Sequence, residues 1–536
     1  MCWNSVLKEN KIERKYKQII NKVTINSMNK ITIIMYCTQT LPRGKLINIK
    51  KQHILLITIR QTIVSFIFFS KWKGEKMKKI LAITAASAMI LGLCTYGSAG
   101  EALAAAGGDS FEMFQEAATI TETVLVDEAN VKITAKALTY DSYSATLSLT
   151  LENNTDKNLS FYSTSYDECW NSINGVMADF YMSETVNAGK KANVGITLYA
   201  DDLMEMGISD IADIEISFVI EDSETYDEYL RTGMFQIPTS IADSYVYPEG
   251  PALAALTNAE VMSETDLNTV YYSDEAEGEG DVTVAAKWMG TDWSDYTVLK
   301  YEINNASDQR VVIRPTAISF NGLYASVSSS DTYISPGKKG IIEMTVDYMV
   351  DYNVRTWVGL EEIGKVVLNY DILDESKSTL IGSGAANIEI EGAATEAAYE
   401  GIELVNENGI RIEGIAVTQE NSDYSPDVYF IFVAENNSGK AVELSTSYNE
   451  SSVNGFMTSL SSNYPVIPDG GKGLFILTLY DWYFADCDIE SYEDIEEMET
   501  VVEAYDYGTY NTVLEAPIGL YFTSVEEGEE ELEAAG

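Results

Sequence analysis

The chain has 536 residues, a formal net charge of −48, 46% hydrophobic residues and 34 tyrosines, and by length alone holds three or four domain cores. Residues 1–104 contain 17 Lys and Arg against 4 Asp and Glu, which leaves 18 basic and 79 acidic residues in 105–536, a net −61. So acidic a surface has too few cations to neutralise phosphates, which excludes nucleic acid and anionic lipid as its partners, and its aromatic content argues for folded domains over an acidic disordered chain.

Residues 1–76 read as translated upstream sequence. They are rich in Lys, Asn and Ile, contain no Asp, and place Arg60 inside the apolar run Ile54–Phe69. Lys73-Gly74-Glu75-Lys76 is encodable by a purine run resembling a ribosome-binding site just ahead of the Met77 codon, so translation is expected to start at Met77. The competing reading is an N-terminal anchor that carries Arg60 in the bilayer at a cost of a few kcal/mol.

From Met77 onward, Lys78 and Lys79 precede the apolar run Ile80–Leu93 and the small-residue stretch Gly97-Ser98-Ala99 to Ala104-Ala105-Ala106. These are the three parts of a secretory signal peptide, over 77–106. The apolar run is too short for a comfortable span, and cleavage is expected after Ala99, Ala104 or Ala106. Leu91, three residues before Cys94, resembles a lipoprotein signal, although Leu93 stands where that pattern wants a small residue. Cys94 is thus a candidate lipid attachment point and the one route expected to a membrane. A linker, 107–122, follows.

Beyond it a single pattern recurs three times. Ala145/Leu147/Leu149/Leu151 alternate ahead of Glu152-Asn-Asn-Thr-Asp-Lys157; Thr297/Leu299/Tyr301/Ile303 precede Asn304-Asn-Ala-Ser-Asp-Gln309; Val428/Phe430/Phe432/Ala434 precede Glu435-Asn-Asn-Ser-Gly-Lys440. Period two predicts a strand with one buried face, and the polar cluster predicts its turn. The asparagines Asn153, Asn305 and Asn436 are read as turn formers. Next come Asn174-Gly175, Asn321-Gly322 and Asn454-Gly455, the dipeptide of tight hairpins. Then come Gly189-Lys190-Lys191, Gly337-Lys338-Lys339 and Gly470-Gly471-Lys472, each leading into a strand. A fourth landmark, Ile208–Asp222, Leu360–Asp374 and Tyr492–Asp506, predicts a short helical turn entering a strand with an acidic end. Two opening strands and one closing strand bring each copy to seven or eight strands in about 120 residues, the count of a two-sheet sandwich.

These landmarks resemble the immunoglobulin-like repeat modules of exported and membrane-anchored Gram-positive bacterial proteins. The resemblance implies an all-β protein of three tandem Ig-like β-sandwich domains behind a signal peptide: 123–240, 269–391 and 401–523. Linkers are expected at 241–268, long and with a short helix at Ala252–Met262, and at 392–400, short and Ala-rich. Modules one and two are therefore expected to reorient more freely than two and three. An acidic tail, 524–536, is expected to be disordered; it has no LPxTG-type motif, so anchoring at that end is not expected.

Little in this pattern points to catalysis. The one histidine, His53, lies in the leader, so His-dependent triads and His-ligated zinc are not expected in the repeats. Cys169 and Cys487 fall in different copies and are expected to be unpaired. No Gly-rich phosphate loop and no G-x-S-x-G is present, and no cofactor is expected. Two site readings remain. Asp222, Glu224 and Asp227, Asp371 and Asp374, and Asp506 all follow the same strand, so they are candidate calcium ligands. Trp170, Trp288, Trp293, Tyr296, Tyr424 and Trp482 are candidate loop aromatics for stacking on sugar or anchoring a protein. The expectation is an exported, non-catalytic binding or structural protein acting outside the cell on an extracellular protein or glycan. The alternatives are a carbohydrate-binding array using the loop Trp and Tyr, and a hydrolase using paired carboxylates.

Overall fold

The computed structural model describes residues 117–522, apart from 142, 164–170, 258–266, 293, 420–425 and 448, and the backbone of 532–534. The protein is all-β, with several sheets and a few short helical turns. Among the described residues no helix is long and apolar enough to cross a membrane. The signal segment 77–106, Cys94, the extension 1–76 and Cys169 lie outside them.

Each repeat lays down the same first sheet, an antiparallel ladder in which three consecutive strands are followed by the strand after the Gly-Lys turn, here called the lysine strand. In the first repeat the order is Thr123–Glu128, Val131–Tyr140, Ser144–Asn153 and Lys190–Tyr199; the second uses Asn268–Ser273, Val282–Thr291, Thr297–Asn305 and Lys339–Thr345; the third uses Ile402–Glu407, Ile410–Gln419, Val428–Asn436 and Lys472–Leu479. The second strand carries a register shift in all three, at equivalent places in the first and third, Ala135/Ala137 and Gly414/Ala416, and two residues earlier in the second, Val284/Ala286. An extra residue there sharpens the twist of the ladder, so the repeats share curvature as well as order.

The facing strands come from the rest of each repeat. In the second repeat they run Leu380–Glu389, Lys365–Asp374, Val311–Phe320 and Leu323–Ala325. In the first the corresponding strand breaks at Ser217 and Phe218, because side chains replace the ladder: Ser217 N–H donates to Asn171 Oδ1 (3.1 Å) and Phe218 N–H to Thr232 Oγ1 (2.8 Å). Leu147, Leu149, Phe161 and Ile214 fill the first core, Tyr301, Ile318 and Phe320 the second, and Phe430, Phe432 and Phe475 the third.

The helical turns precede the fourth landmark in the first two repeats, at Ala200–Glu205 and Tyr352–Val358, and only in the third does a turn, Tyr492–Asp494, fall within it. The reason lies in Gly207 (φ 74°) and Gly359 (φ 68°), left-handed residues that stop each helix just short of the landmark.

The repeats also join edge to edge. The short strand after the Asn-Gly turn of the first repeat, Val176–Met177, pairs in parallel with the lysine strand of the second at Val176 and Lys339. The same strand of the second repeat, Leu323–Ala325, pairs in parallel with the lysine strand of the third, Leu323 with Lys472 and Tyr324 with Gly473. One sheet of eight strands and one of ten therefore cross the repeat boundaries. Of the stretch 241–268, expected as a linker, the described segment Ala252–Thr257 is built into the first joint. This 3₁₀ turn buries Leu253 and Leu256 with Met204, Trp288 and Val298, each large side chain contributing about 1.5–3 kcal/mol.

Candidate functional site

The acidic strand ends are occupied turns. Asp222 Oδ2 accepts from Lys157 Nζ (2.7 Å) while its Oδ1 accepts from Glu224 N–H (3.0 Å). Asp506 repeats this with Lys440 Nζ (2.9 Å) and Gly508 N–H (3.0 Å). In both, the lysine hydrogen bond comes first among the causes that hold the carboxyl below its usual range. The second repeat has Gln309 in place of that lysine. There Asp374 accepts from the N–H groups of Thr379 (2.9 Å) and Ser378 (2.8 Å) and from Ser376 Oγ (2.8 Å), and the backbone bond from Thr379 leads in lowering its pKa. Asp371 is half-buried, and desolvation pushes its carboxyl up. Glu224 and Asp227 are exposed on the turn that Asp222 closes. The cation beside Asp222 and Asp506 is thus a lysine ammonium. Among the described residues no three His, Cys, Asp or Glu side chains converge.

The aromatic candidates separate. Trp288 is not a loop residue: it sits within the strand Val282–Thr291, wholly buried, with Nε1 donating to Thr269 Oγ1 (3.0 Å). A ring needed to fill the first joint cannot also stack on a ligand, which corrects its reading as a contact residue. Tyr296 is exposed and packs edge-on against exposed Tyr348, centroids 5.8 Å apart. Trp482, 62% exposed, stacks on Tyr480 at 4.3 Å with 13° between planes. Trp170, Trp293 and Tyr424 lie outside the described residues. Cys487 is buried without a disulfide, and desolvation pushes its thiol up.

The turn asparagines do more than turn. Asn305 is fully buried, its Nδ2 donates to Gln309 O (2.8 Å) and Ile334 O (3.0 Å), and its Oδ1 accepts from Ser307 N–H (3.1 Å). Asn153 binds Lys157 O and Val186 O, and Asn436 binds Lys440 O and Ile467 O, each bond 2.7–2.8 Å. One side chain thereby ties the end of its strand to the segment entering the Gly-Lys turn. The Asn-Gly asparagines bracket the other end: Asn174, Asn321 and Asn454 have φ of 47–51°, and their amides reach Asp210 O, Glu362 O and Asp494 O. The recurrence of these residues was the signal in the sequence; their long-range partners were not.

Beside the first joint lies an open groove of about 480 Å³ lined by Asn174, Asp213, Gln236, Tyr245, Tyr247 and Lys338, among others. Tyr247 Oη donates to Asp213, and burial, ahead of that bond, raises the phenol's pKa. Asn174 Nδ2 donates to Tyr245 Oη (3.3 Å), and Tyr245 and Tyr247 pack edge to face at 4.9 Å. Lys338 Nζ meets Glu215 Oε2 across the joint at 2.5 Å. The groove's polar groups are largely engaged with one another, so its chemistry is that of a sealed joint more than of a reaction site.

No family model matches the chain, and no curated protein does. Among solved structures, the crystal structure of a protein of unknown function from Porphyromonas gingivalis W83 matches 46% of this chain and 91% of its own, at 13% identity and a TM-score of 0.12. At that score it carries no argument about this chain.

Proposed function

We propose that this chain is a non-catalytic binding and structural protein: three immunoglobulin-like β-sandwich modules in tandem, exported by a signal peptide that begins at Met77. The observation that carries the reading is how its reactive-looking groups are used. The recurrent carboxylates Asp222, Asp374 and Asp506 close turns, the recurrent asparagines latch strands, and Trp288 fills a joint. What the framework leaves to the outside are surface aromatics, of which the exposed Tyr296 and Tyr348 pair offers a contact to an extracellular protein or glycan.

The test is a screen of the purified chain against a glycan array and a panel of extracellular proteins, with Y296A/Y348A alongside. Binding to one class that drops about tenfold or more in the double variant supports this contact. Turnover of a glycan in place of its retention would overturn the non-catalytic reading. N-terminal sequencing of protein recovered from the medium tests export: a start at Gly100, Ala105 or Gly107 is expected.

A further inference from the structure

The two joints share one rule. At the first, Lys339 N–H donates to Gly175 O (3.0 Å), Val176 is 3% exposed, and Lys338 pairs with Glu215 at 2.5 Å. At the second, Leu323, 2% exposed, takes the place of Val176 against Lys472. The ion pair has no counterpart there, since Gly471 stands where Lys338 does. The outward faces of the lysine sheets are graded accordingly. Lys300, Glu302 and Ile341 form the one covered by the first repeat, with Glu343 at its exposed edge, and Ile431, Val433, Leu474 and Ile476 the one that merges with the second repeat's core.

Among the described residues, both ends of the array leave half of such a joint open. In the third repeat the counterpart of Val176 and Leu323 is Phe456, 46% exposed, followed by Met457, 64% exposed. Their strand, Phe456–Thr458, pairs only with Ser451–Val453 among the described residues. Glu215 and Glu499 are equivalent, since each stands opposite the serine two residues before an Asn-Gly turn, Ser172 and Ser452. Glu499 is exposed, and Tyr521 Oη bonds its Oε1 (2.5 Å). At the other end the lysine strand Lys190–Tyr199 pairs only with Ser144–Asn153 among the described residues. Lys190, counterpart of Lys338, is exposed with no carboxylate partner among them. The outward face there, Ser148, Thr150, Asn193 and Gly195, is small and uncharged, so Phe456 and Met457 can cover it without burying a charge. No linker is needed at such a junction. Gly207 and Gly359 are hemmed in by the linker atoms of Ala252 and Ala398, whereas the residue in that place in the third repeat, Asp488 (φ 56°), carries a side chain.

We propose that copies of this chain join head to tail. The strand Phe456–Thr458 of one copy adds in parallel to the lysine strand Lys190–Tyr199 of the next, with Lys191 N–H donating to Gly455 O and Lys190 pairing with Glu499. An unpaired strand edge is a template for such addition, and because the two surfaces differ, each junction leaves both ends of the assembly open for another. The proposal takes from the tandem-module reading only the joint geometry; export and aromatic contacts do not enter it.

The experiment is sedimentation velocity on the purified full-length chain over a concentration series at about 0.15 M salt, where repulsion between acidic copies is screened beyond about 8 Å. Dimers, then trimers and longer species, are expected as concentration rises. K190E and E499K, both at exposed positions, should each weaken association about tenfold or more while leaving the unfolding midpoint unchanged. Mixed one to one, they restore an oppositely charged junction in both directions, the native pair of Glu499 from K190E with Lys190 from E499K and the reversed pair between the two substituted residues, so the mixture should grow beyond a dimer as alternating copies. A wild-type chain that stays monomeric throughout, or one whose assembly neither variant weakens, overturns the proposal. Assembly of the mixture no stronger than that of either variant alone overturns the Lys190–Glu499 pairing within it.

Discussion

At the residue scale the buried asparagines carry the sharpest consequence. Removing the Asn305 amide strands Gln309 O and Ile334 O, two carbonyls with little access to water, and frees the Ser307 turn. An unsatisfied buried polar group costs about 1–3 kcal/mol, so N305A is expected to lose about 2–4 kcal/mol in urea unfolding, against less than about 0.5 kcal/mol for an exposed substitution such as N437A. A second consequence is pH-dependent. Asp331 accepts two parallel bonds from Arg314, Oδ1 from Nε (2.9 Å) and Oδ2 from Nη2 (2.8 Å), with Lys377 Nζ at 3.2 Å. The Arg314 hydrogen bond leads in holding its carboxyl below the usual range. A carboxyl depressed in the folded state adds stability that is fully present above its unfolded value, about 4, and is lost as pH falls through the folded one. The stability gap between wild type and D331N should therefore be widest near neutrality and close below about pH 4. A gap independent of pH would mean that Asp331 acts by packing alone.

At the scale of elements, the joints decide which strands are buried on one face and which on two. The alternation Ala145/Leu147/Leu149/Leu151 correctly announces a strand with one buried face, and its intervening Thr146, Ser148 and Thr150 remain half-exposed. The same rule misleads in Val428–Asn436, where Ile431 and Val433 are as buried as Phe430 and Phe432 because the preceding repeat covers them. Their apolar character was the visible sign, but period two cannot say what covers the second face. Trp288 failed for the same reason: its position ahead of a polar loop looked peripheral, and only the fold brings Leu253, Leu256 and Met204 over it. The turns were legible because Asn-Gly chemistry is local; the asparagine partners, some thirty to forty residues away, were not. Trp288 also gives a test of the joint. W288A should cost about 3–5 kcal/mol, and hydrogen exchange should speed up at Ala252–Thr257 and along Asn268–Ser273 well before it does so in Leu474–Leu479. Uniform acceleration would mean that the repeats unfold as one block, with the joint no weaker than the cores.

At the scale of the whole molecule, the charge surplus sets how stability responds to solvent. Residues 105–536 hold 18 cations against 79 anions, and many of those cations are committed to pairs, among them Lys157 with Asp222, Lys287 with Glu277, Lys300 with Glu205 and Glu343, Arg355 with Asp347 and Lys440 with Asp506. The remaining carboxylates repel one another across the compact state. Salt acts on both populations. It weakens exposed pairs, each worth about 0–1 kcal/mol, and it weakens the repulsion, which involves far more charges. Pairs that include a buried cation such as Lys300 or Lys287 are screened least, so the attractive side loses little. The net sign follows: raising ionic strength from about 10 mM to about 150 mM, which shortens the screening length from about 30 to 8 Å, should raise the unfolding midpoint. The rise should flatten above that range, because further screening acts only on charges already in contact. A midpoint that falls with added salt would show that the committed pairs outweigh the surplus, and that the acidic face is held apart too widely for its charges to interact.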